Sequence, residues 1–164
     1  MDDINKYYEE RKEYNYYKKV NSILSKLQFN SIIDIGGRKS PILEQLNDSI
    51  YKSLLDISKI KGENKNINYI TADFYKWAPD RVYDIVLCLQ VLEHLDKPAE
   101  FAQKLFGTGK KVIISLPYKW PKGFCIHHIQ DPVDEKLIKE WTNRKPTESY
   151  IVEDNSVKRI ICVY

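Results

Sequence analysis

Residues 31–40, Ser-Ile-Ile-Asp-Ile-Gly-Gly-Arg-Lys-Ser, place a β-branched apolar run, an acid, a glycine pair and a helix-starting serine in direct succession. Ile32, Ile33 and Ile35 favour an extended strand bounded by turn formers, and Gly36-Gly37 permits positive φ and close approach of a ligand to the backbone. A strand that feeds such a turn suits a nucleotide-type ligand. The glycines alone say little; the spacing to Asp56, about twenty residues on, adds an acid where ribose hydroxyls would be gripped. Asp56 ends a second apolar run, Leu54-Leu55-Asp56-Ile57-Ser58.

The rest of the chain alternates in the same way. Apolar members of Ile4 to Leu27, among them Tyr14, Tyr17, Val20, Leu24 and Leu27, recur at three- and four-residue steps and predict an amphipathic helix. Its tyrosines at 7, 8, 14, 16 and 17 either pack on a sheet or close over a flat ligand as a lid. Ser40 and Pro41 start a helix to Leu46. Strands are expected at Ile50 to Leu55, Ile67 to Thr71, Val82 to Leu89 and Lys110 to Leu116. Helices are expected at Ala99 to Leu105 and, capped by Asp131 or Asp134, at Asp134 to Trp141. Glu148 to Val152 and Val157 to Tyr164 close the pattern. This alternation implies an α/β layered fold with a mainly parallel sheet and an antiparallel closing strand at the C-terminus.

With 164 residues and 43% hydrophobic content, one domain over 1–164 is expected, with a helix in 1–28 and the core in 29–164. No apolar stretch approaches the ~20 residues of a membrane span, and Met1-Asp2-Asp3 does not open a signal peptide, so a soluble, cytoplasmic protein is expected. Cys88, Cys125 and Cys162 are far apart, which favours free thiols over disulfides or a zinc site. A net charge of +3 with mixed signs gives no basic stripe for nucleic acid.

Ligands of open parallel sheets bind beyond the carboxyl ends of the strands. The residues there are Asp34, Gly36 and Gly37; Asp56 and Ile57; Asp73 and Phe74; and Gln90 to His94. Acids at three successive strand ends suit an amino group, ribose hydroxyls and an exocyclic amine, and would repel a triphosphate. No phosphate-cradling Lys-Ser or Lys-Thr follows the glycines at the spacing an NTPase requires.

In these motifs the chain resembles the class I S-adenosylmethionine-dependent methyltransferases, in the small type 11-like subgroup with Leu-Glu-His after the fourth strand. The resemblance runs from about Ser31 to Leu116 and implies a Rossmann-like three-layer sandwich with S-adenosyl-L-methionine as cofactor. It places Asp34, Gly36 and Gly37 beside the methionine part, Asp56 and Ile57 at the ribose, Asp73 and Phe74 at the adenine, and Gln90 at the transfer site. Where that family has its second and third glycines this chain has Arg38 and Ser40. Arg38 is expected to pair with the cofactor's carboxylate and Ser40 to cap the next helix. A turn closed to the cofactor would instead leave a catalytically inactive binding module.

Methyl transfer needs in-line positioning and, for some acceptor hydroxyls, a base. His94 is the first candidate, followed by His128 or His127, of which one only is expected in the site because consecutive side chains of an extended segment diverge. Glu93-His94 with His127-His128 also resembles the metal-dependent small-RNA 2′-O-methyltransferases. Gln90 stands where their first glutamate would be, which removes a charge that a hard cation needs, so no metal is expected. The loop Pro117 to Phe124 offers Tyr118, Trp120 and Phe124 beside two lysines, and no extra recognition domain is evident. The expected partner is a small-molecule or sugar-type acceptor, methylated on oxygen.

Overall fold

Each β-branched run becomes a strand of one sheet. In the computed structural model, which describes residues 10–60, 62 and 64–164, the strands are β1 (Ser31–Ile35), β2 (Tyr51–Asp56), β3 (Ile67–Thr71), β4 (Tyr83–Leu89), β5 (Gly109–Pro117), β6 (Glu148–Asp154) and β7 (Val157–Val163). Their spatial order is β3-β2-β1-β4-β5-β7-β6. β1 to β5 run parallel, while β7 pairs antiparallel with both β5 and β6. The two-residue turn Asn155-Ser156, with φ of 50° and 64°, makes the β6–β7 hairpin tight.

The helices α1 (Asn15–Leu24), α2 (Pro41–Gln45), α3 (Pro98–Thr108) and α4 (Glu135–Thr142) cover both faces. Side chains of β4 sort between them with period two. Val86 and Cys88 join the core that holds Phe101 and Leu105 of α3 and Ile138 and Trp141 of α4. Ile85, Leu87 and Leu89 join the core that holds Val20 of α1 and Ile42 and Leu43 of α2. In β1, Ile33 and Ile35 face the α3–α4 side and Ile32 the other. Asp34, by the same alternation, turns away from Ile33 and Ile35.

The caps follow the sequence. Ser40 Oγ accepts the Leu43 amide at 3.5 Å with Pro41 in the first turn of α2. Of the two candidate caps for α4 it is Asp134 that accepts, from the Leu137 amide at 2.8 Å. Cys88, Cys125 and Cys162 are free thiols. No helix among the described residues is long and apolar enough to cross a membrane.

The N-terminal periodicity is realised differently. Ile4, Tyr7 and Tyr8 lie outside the described residues, and the pattern expected to run unbroken to Leu27 is interrupted at 12–14, with α1 beginning at Asn15. The cause lies at the other end of the chain. The Asp154 carboxylate, 6% exposed at the end of β6, accepts the amides of Asn15 at 2.5 Å and Tyr16 at 3.2 Å. The Asn15 side chain donates to the Glu153 carbonyl at 2.7 Å, and Arg159 Nη1 stands 3.4 Å from Asp154. A carboxylate on exposed helix amides is favourable both as a hydrogen-bond acceptor and against the helix dipole. Tyr16 and Tyr17 are thereby packed into the core rather than presented to solvent.

Asp154→Ala removes the cap and leaves the Arg159 charge without this partner, so it is expected to cost about 1–3 kcal/mol. A urea denaturation series would read this as a lower midpoint at unchanged slope, with Asp154→Asn recovering part of the loss.

Candidate functional site

The strand order reverses between β1 and β4, since the chain goes from β1 outward to β2 and β3 and then returns to β4 on the other side. At such a reversal the carboxyl ends of the strands open a crevice. A cavity of about 530 Å3 lies there, walled by Gly36, Arg38, Asp56, Asp73, Gln90 and His94 with apolar neighbours. Its size is that of a small-molecule or cofactor site.

The turn after β1 leaves no room for side chains at its two glycines. Gly36 has φ 80°, and a Cβ there would lie 2.6 Å from Val91 Cγ2; a Cβ on Gly37 would meet Leu54 Cδ1 at 2.7 Å and Asp34 Oδ2 at 2.8 Å. Arg38, where the resemblance puts a second glycine, keeps the left-handed conformation at φ 47°. Its guanidinium reaches across to the next strand end, where Nη2 donates to Ser58 Oγ at 3.1 Å.

Asp56 and Asp73 stand on the same wall. Asp56 Oδ1 accepts the Ser58 amide at 2.7 Å and Asp73 Oδ1 the Tyr75 amide at 3.0 Å, tight turns that fix both carboxylates. Ile57 is 73% exposed between them in sequence, an apolar side chain open to the cavity. Phe74 is buried against Phe101 at a ring separation of 4.6 Å.

Asp34 does not join the row of carboxylates on that wall. It lies behind the glycine turn, 1% exposed, with Oδ1 unpartnered. Burial pushes its pKa up to about 6, against the lowering effects of the Ser40 hydroxyl and the Arg11 charge. Strand alternation explains the placement, because the residue between Ile33 and Ile35 must face α2. Gly37 likewise does not line the cavity, and a Cβ added to it would run into Asp34 Oδ2.

Beyond β4, Gln90 is held in a left-handed conformation, φ 58°, with its amide on the Ser115 carbonyl at 2.9 Å. Its side chain donates to Ser115 Oγ at 3.2 Å and accepts from Arg159 Nε at 3.3 Å. His94 follows in a short 3-10 turn, Leu92–His94. Its Nδ1 is 2.8 Å from the His127 carbonyl oxygen, which can only accept, so Nδ1 carries the proton and Nε2 is left as the basic nitrogen. Burial lowers the His94 pKa and favours this neutral form.

Of the adjacent histidines, His128 is the one brought to His94. Their rings meet edge-on at 4.8 Å, and His128 stacks on Trp120 at 5.3 Å with Nδ1 2.8 Å from Asp131 Oδ2. The side chain of His127 is exposed, and only its carbonyl serves the site. Under both rings sits Glu93, fully buried with neither oxygen hydrogen-bonded, its pKa pushed up to about 8 by burial first. Ligand atoms of Glu93, His94 and His128 all lie within 4.8 Å of one another.

Several residues of the site carry no sign in the sequence. Arg11, 5% exposed, lines the cavity although it lies in a polar stretch before the first described helix. Asp131, expected as a helix cap, orients His128, and Arg159 from β7 holds Gln90. The one legible hint was Glu93, an acid in an otherwise apolar run.

Comparison with known proteins gives these contacts a context. A family model described as a methyltransferase domain matches residues 47–111. The mitochondrial ubiquinone biosynthesis O-methyltransferase of Dictyostelium discoideum is 28% identical over 98 residues, covering 56% of this chain and 30% of that protein. The chain spans about a third of the length of the curated relatives it matches. Among solved structures, the 1,6-didemethyltoxoflavin-N1-methyltransferase of Burkholderia thailandensis superposes with a TM-score of 0.73 at 13% identity, covering 99% of this chain and 84% of that one. The N-methyltransferase NodS of Bradyrhizobium japonicum does so with a TM-score of 0.69 at 11% identity, covering 92% and 87%. Residues 47–111 are therefore similar to a methyltransferase domain, and the fold is the one these solved methyltransferases share.

Proposed function

We propose that the protein is an S-adenosylmethionine-dependent methyltransferase acting on a hydroxyl of a small, sugar-type or other organic acceptor. The observation that carries this reading is the wall on which Asp56 and Asp73, each fixed by a backbone amide, flank the open apolar Ile57. In this reading Asp56 accepts from ribose hydroxyls, Asp73 from an exocyclic amine, and Ile57 with Phe74 covers the flat base. Solved relatives of the same fold were crystallised with S-adenosylhomocysteine, and the matched curated relatives are named O-methyltransferases.

The cofactor, when bound, supplies a methyl group already activated on a sulfonium. The protein then has to orient the acceptor and take its proton. His94 Nε2 is the base: its other nitrogen is fixed on a carbonyl, so the lone pair has one direction. Trp120 is buried, stacked on His128 and in edge contact with Phe124 at 5.1 Å, and so fixes the aromatic ring of Phe124 that offers the acceptor a flank. Exposed Phe124 and Ile126 extend that flank outward.

Calorimetric titration with S-adenosylmethionine and S-adenosylhomocysteine is expected to give saturable binding, weakened about tenfold or more in Asp56→Ala, as loss of hydrogen bonds to a charged group implies. Absence of heat and of thermal stabilisation at millimolar ligand would favour the inactive binding module. His94→Ala is expected to lower turnover about 10²–10⁴-fold, the usual worth of a general base, while leaving cofactor affinity unchanged.

A second reading, metal-assisted transfer of the RNA 2′-O type, has one specific observation in its favour. Glu93 is buried with two unpartnered oxygens beside two imidazoles whose Nδ1 atoms are each held by a protein acceptor, and a metal site needs its ligands oriented in this way. The donor set of two imidazoles and a carboxylate suits Zn, Mn or Fe. Gln90 adds no charge, and its carbonyl is already engaged by Arg159. Under the first reading, turnover is unchanged by a chelator. Loss of activity in a chelator, restored by a divalent metal and matched by metal content in the purified protein, would establish the second.

A further inference from the structure

We propose that a second binding site lies between α4 and the β6–β7 hairpin, and that it takes a small organic anion with an apolar body. It shares no lining residue with the crevice at the strand ends and stands apart from the methyl-transfer reading.

A cavity of about 320 Å3 lies there, a size that suits a small molecule. Its floor is apolar, made by Ile138 of α4 with Ile160 and Cys162 of β7, all buried. Burial pushes the Cys162 thiol up to about 11, so the sulfur there is uncharged. β6 is the outermost strand of the sheet, which leaves the cavity open along that side. Ile151 of β6 pairs directly with Ile160, shares its face, and is 51% exposed. Apolar surface therefore continues from the floor to the edge of the sheet.

The rim is cationic. Lys139, Arg144 and Lys145 stand on it, exposed, and none pairs with a carboxylate among the described residues. Glu135, the one acid among the described lining residues, is engaged elsewhere: it accepts from the Tyr118 hydroxyl and lies 3.7 Å from Lys119 Nζ. Glu148 of β6 falls on the opposite face, opposite Val163, where the Tyr150 hydroxyl donates to it. A helix C-terminus carries about half a negative charge, which a single cation offsets. Three cations are gathered at the end of α4.

Their placement is fixed locally. Asn143, left-handed at φ 48°, ends α4 with its amide on the Lys139 carbonyl at 2.8 Å, and Thr142 Oγ1 donates to the Arg144 carbonyl at 3.2 Å. The Arg144 guanidinium carbon lies 4.3 Å from the Phe106 ring centroid, a stacking that orients the fork and leaves its charge available. A carboxylate or sulfonate would meet this rim while its hydrocarbon covers the floor. A neutral amphiphile leaves the rim unused, and an organic cation is repelled by it.

Calorimetric titration of the full chain with octanoate and with naphthoate, a flexible chain and a flat ring, tests the proposal. Saturable sub-millimolar binding of at least one of them is expected, unchanged by added S-adenosylhomocysteine, with octanol or naphthol about tenfold weaker. Arg144→Glu combined with Lys145→Glu is expected to weaken the carboxylate about tenfold or more, the worth of a charge-assisted contact. Ser149→Phe, at an exposed lining position on the edge strand, is expected to fill the cavity and abolish binding. Should either variant not fold, Lys139→Glu carries the same comparison. No binding of either carboxylate at millimolar concentration, equal affinity for the neutral analogues, unaltered affinity in the variants, or displacement by S-adenosylhomocysteine each overturns the proposal. A chain that fails to bind S-adenosylhomocysteine sinks the cofactor reading and leaves this site standing.

Discussion

The structure depends on one contact between turns, the approach of Gly36 to Val91. β1 and β4 are neighbours in the sheet, and the chain leaves them in opposite directions, so the segments following each must pass close together before they diverge. With φ of 80° and a hypothetical Cβ only 2.6 Å from Val91 Cγ2, position 36 tolerates no side chain. Because the two turns meet there, the crevice opens immediately beyond them. Asp56 and Asp73 reach it from one side, and Gln90 and His94 from the other. A larger residue at 36 would have to displace the Val91 side chain and hold a left-handed backbone at the mouth of the crevice.

Much of the fold was legible because burial on both faces makes parallel strands read as continuous apolar runs. Val82 to Leu89 is such a run, and it forms β4 within one residue of the expected start. Ser40-Pro41 and Asp134 were legible as caps because capping is local chemistry. The break in the N-terminal helix was not, since the carboxylate that ends it comes from Asp154, more than a hundred residues away. Periodicity reports which face of a helix is apolar; it carries no information about a cap supplied by tertiary structure.

The site was legible in the same proportion. Asp56, Ile57, Asp73, Phe74, Gln90 and His94 line the cavity because they directly follow strands, and the end of a strand can be read from sequence. Asp34 was misplaced for a reason the sequence contained. It lies inside β1 between Ile33 and Ile35, both directed to the α3–α4 side, so period two sends it behind the turn. Arg38, which stands where the resemblance puts a second glycine, lines the cavity and reaches Ser58 Oγ at the next strand end. Arg11 had no signal at all, because nothing in a run of lysines, glutamates and tyrosines distinguishes the arginine that folds inward.

The misplacement of Asp34 changes the electrostatic picture of the site. Two acids, Asp34 and Glu93, are withdrawn from solvent off the cavity wall; Asp34 Oδ1 and both Glu93 oxygens lack a hydrogen bond among the described residues, and burial raises the pKa of each. Unpaired buried carboxyls weaken a fold, and native proteins retain them where a ligand, an ion or a proton completes them. Arg11 offsets part of that cost by holding positive charge near both. On the wall itself, Asp56 and Asp73 are partnered by their own backbone amides and need no such help. Asp56 and Asp73 on the cavity wall are therefore settled within the protein, whereas the two buried acids behind it keep unused hydrogen-bonding capacity. Groups left unsatisfied in the protein alone are the ones that a ligand, an ion or a proton gains most by completing.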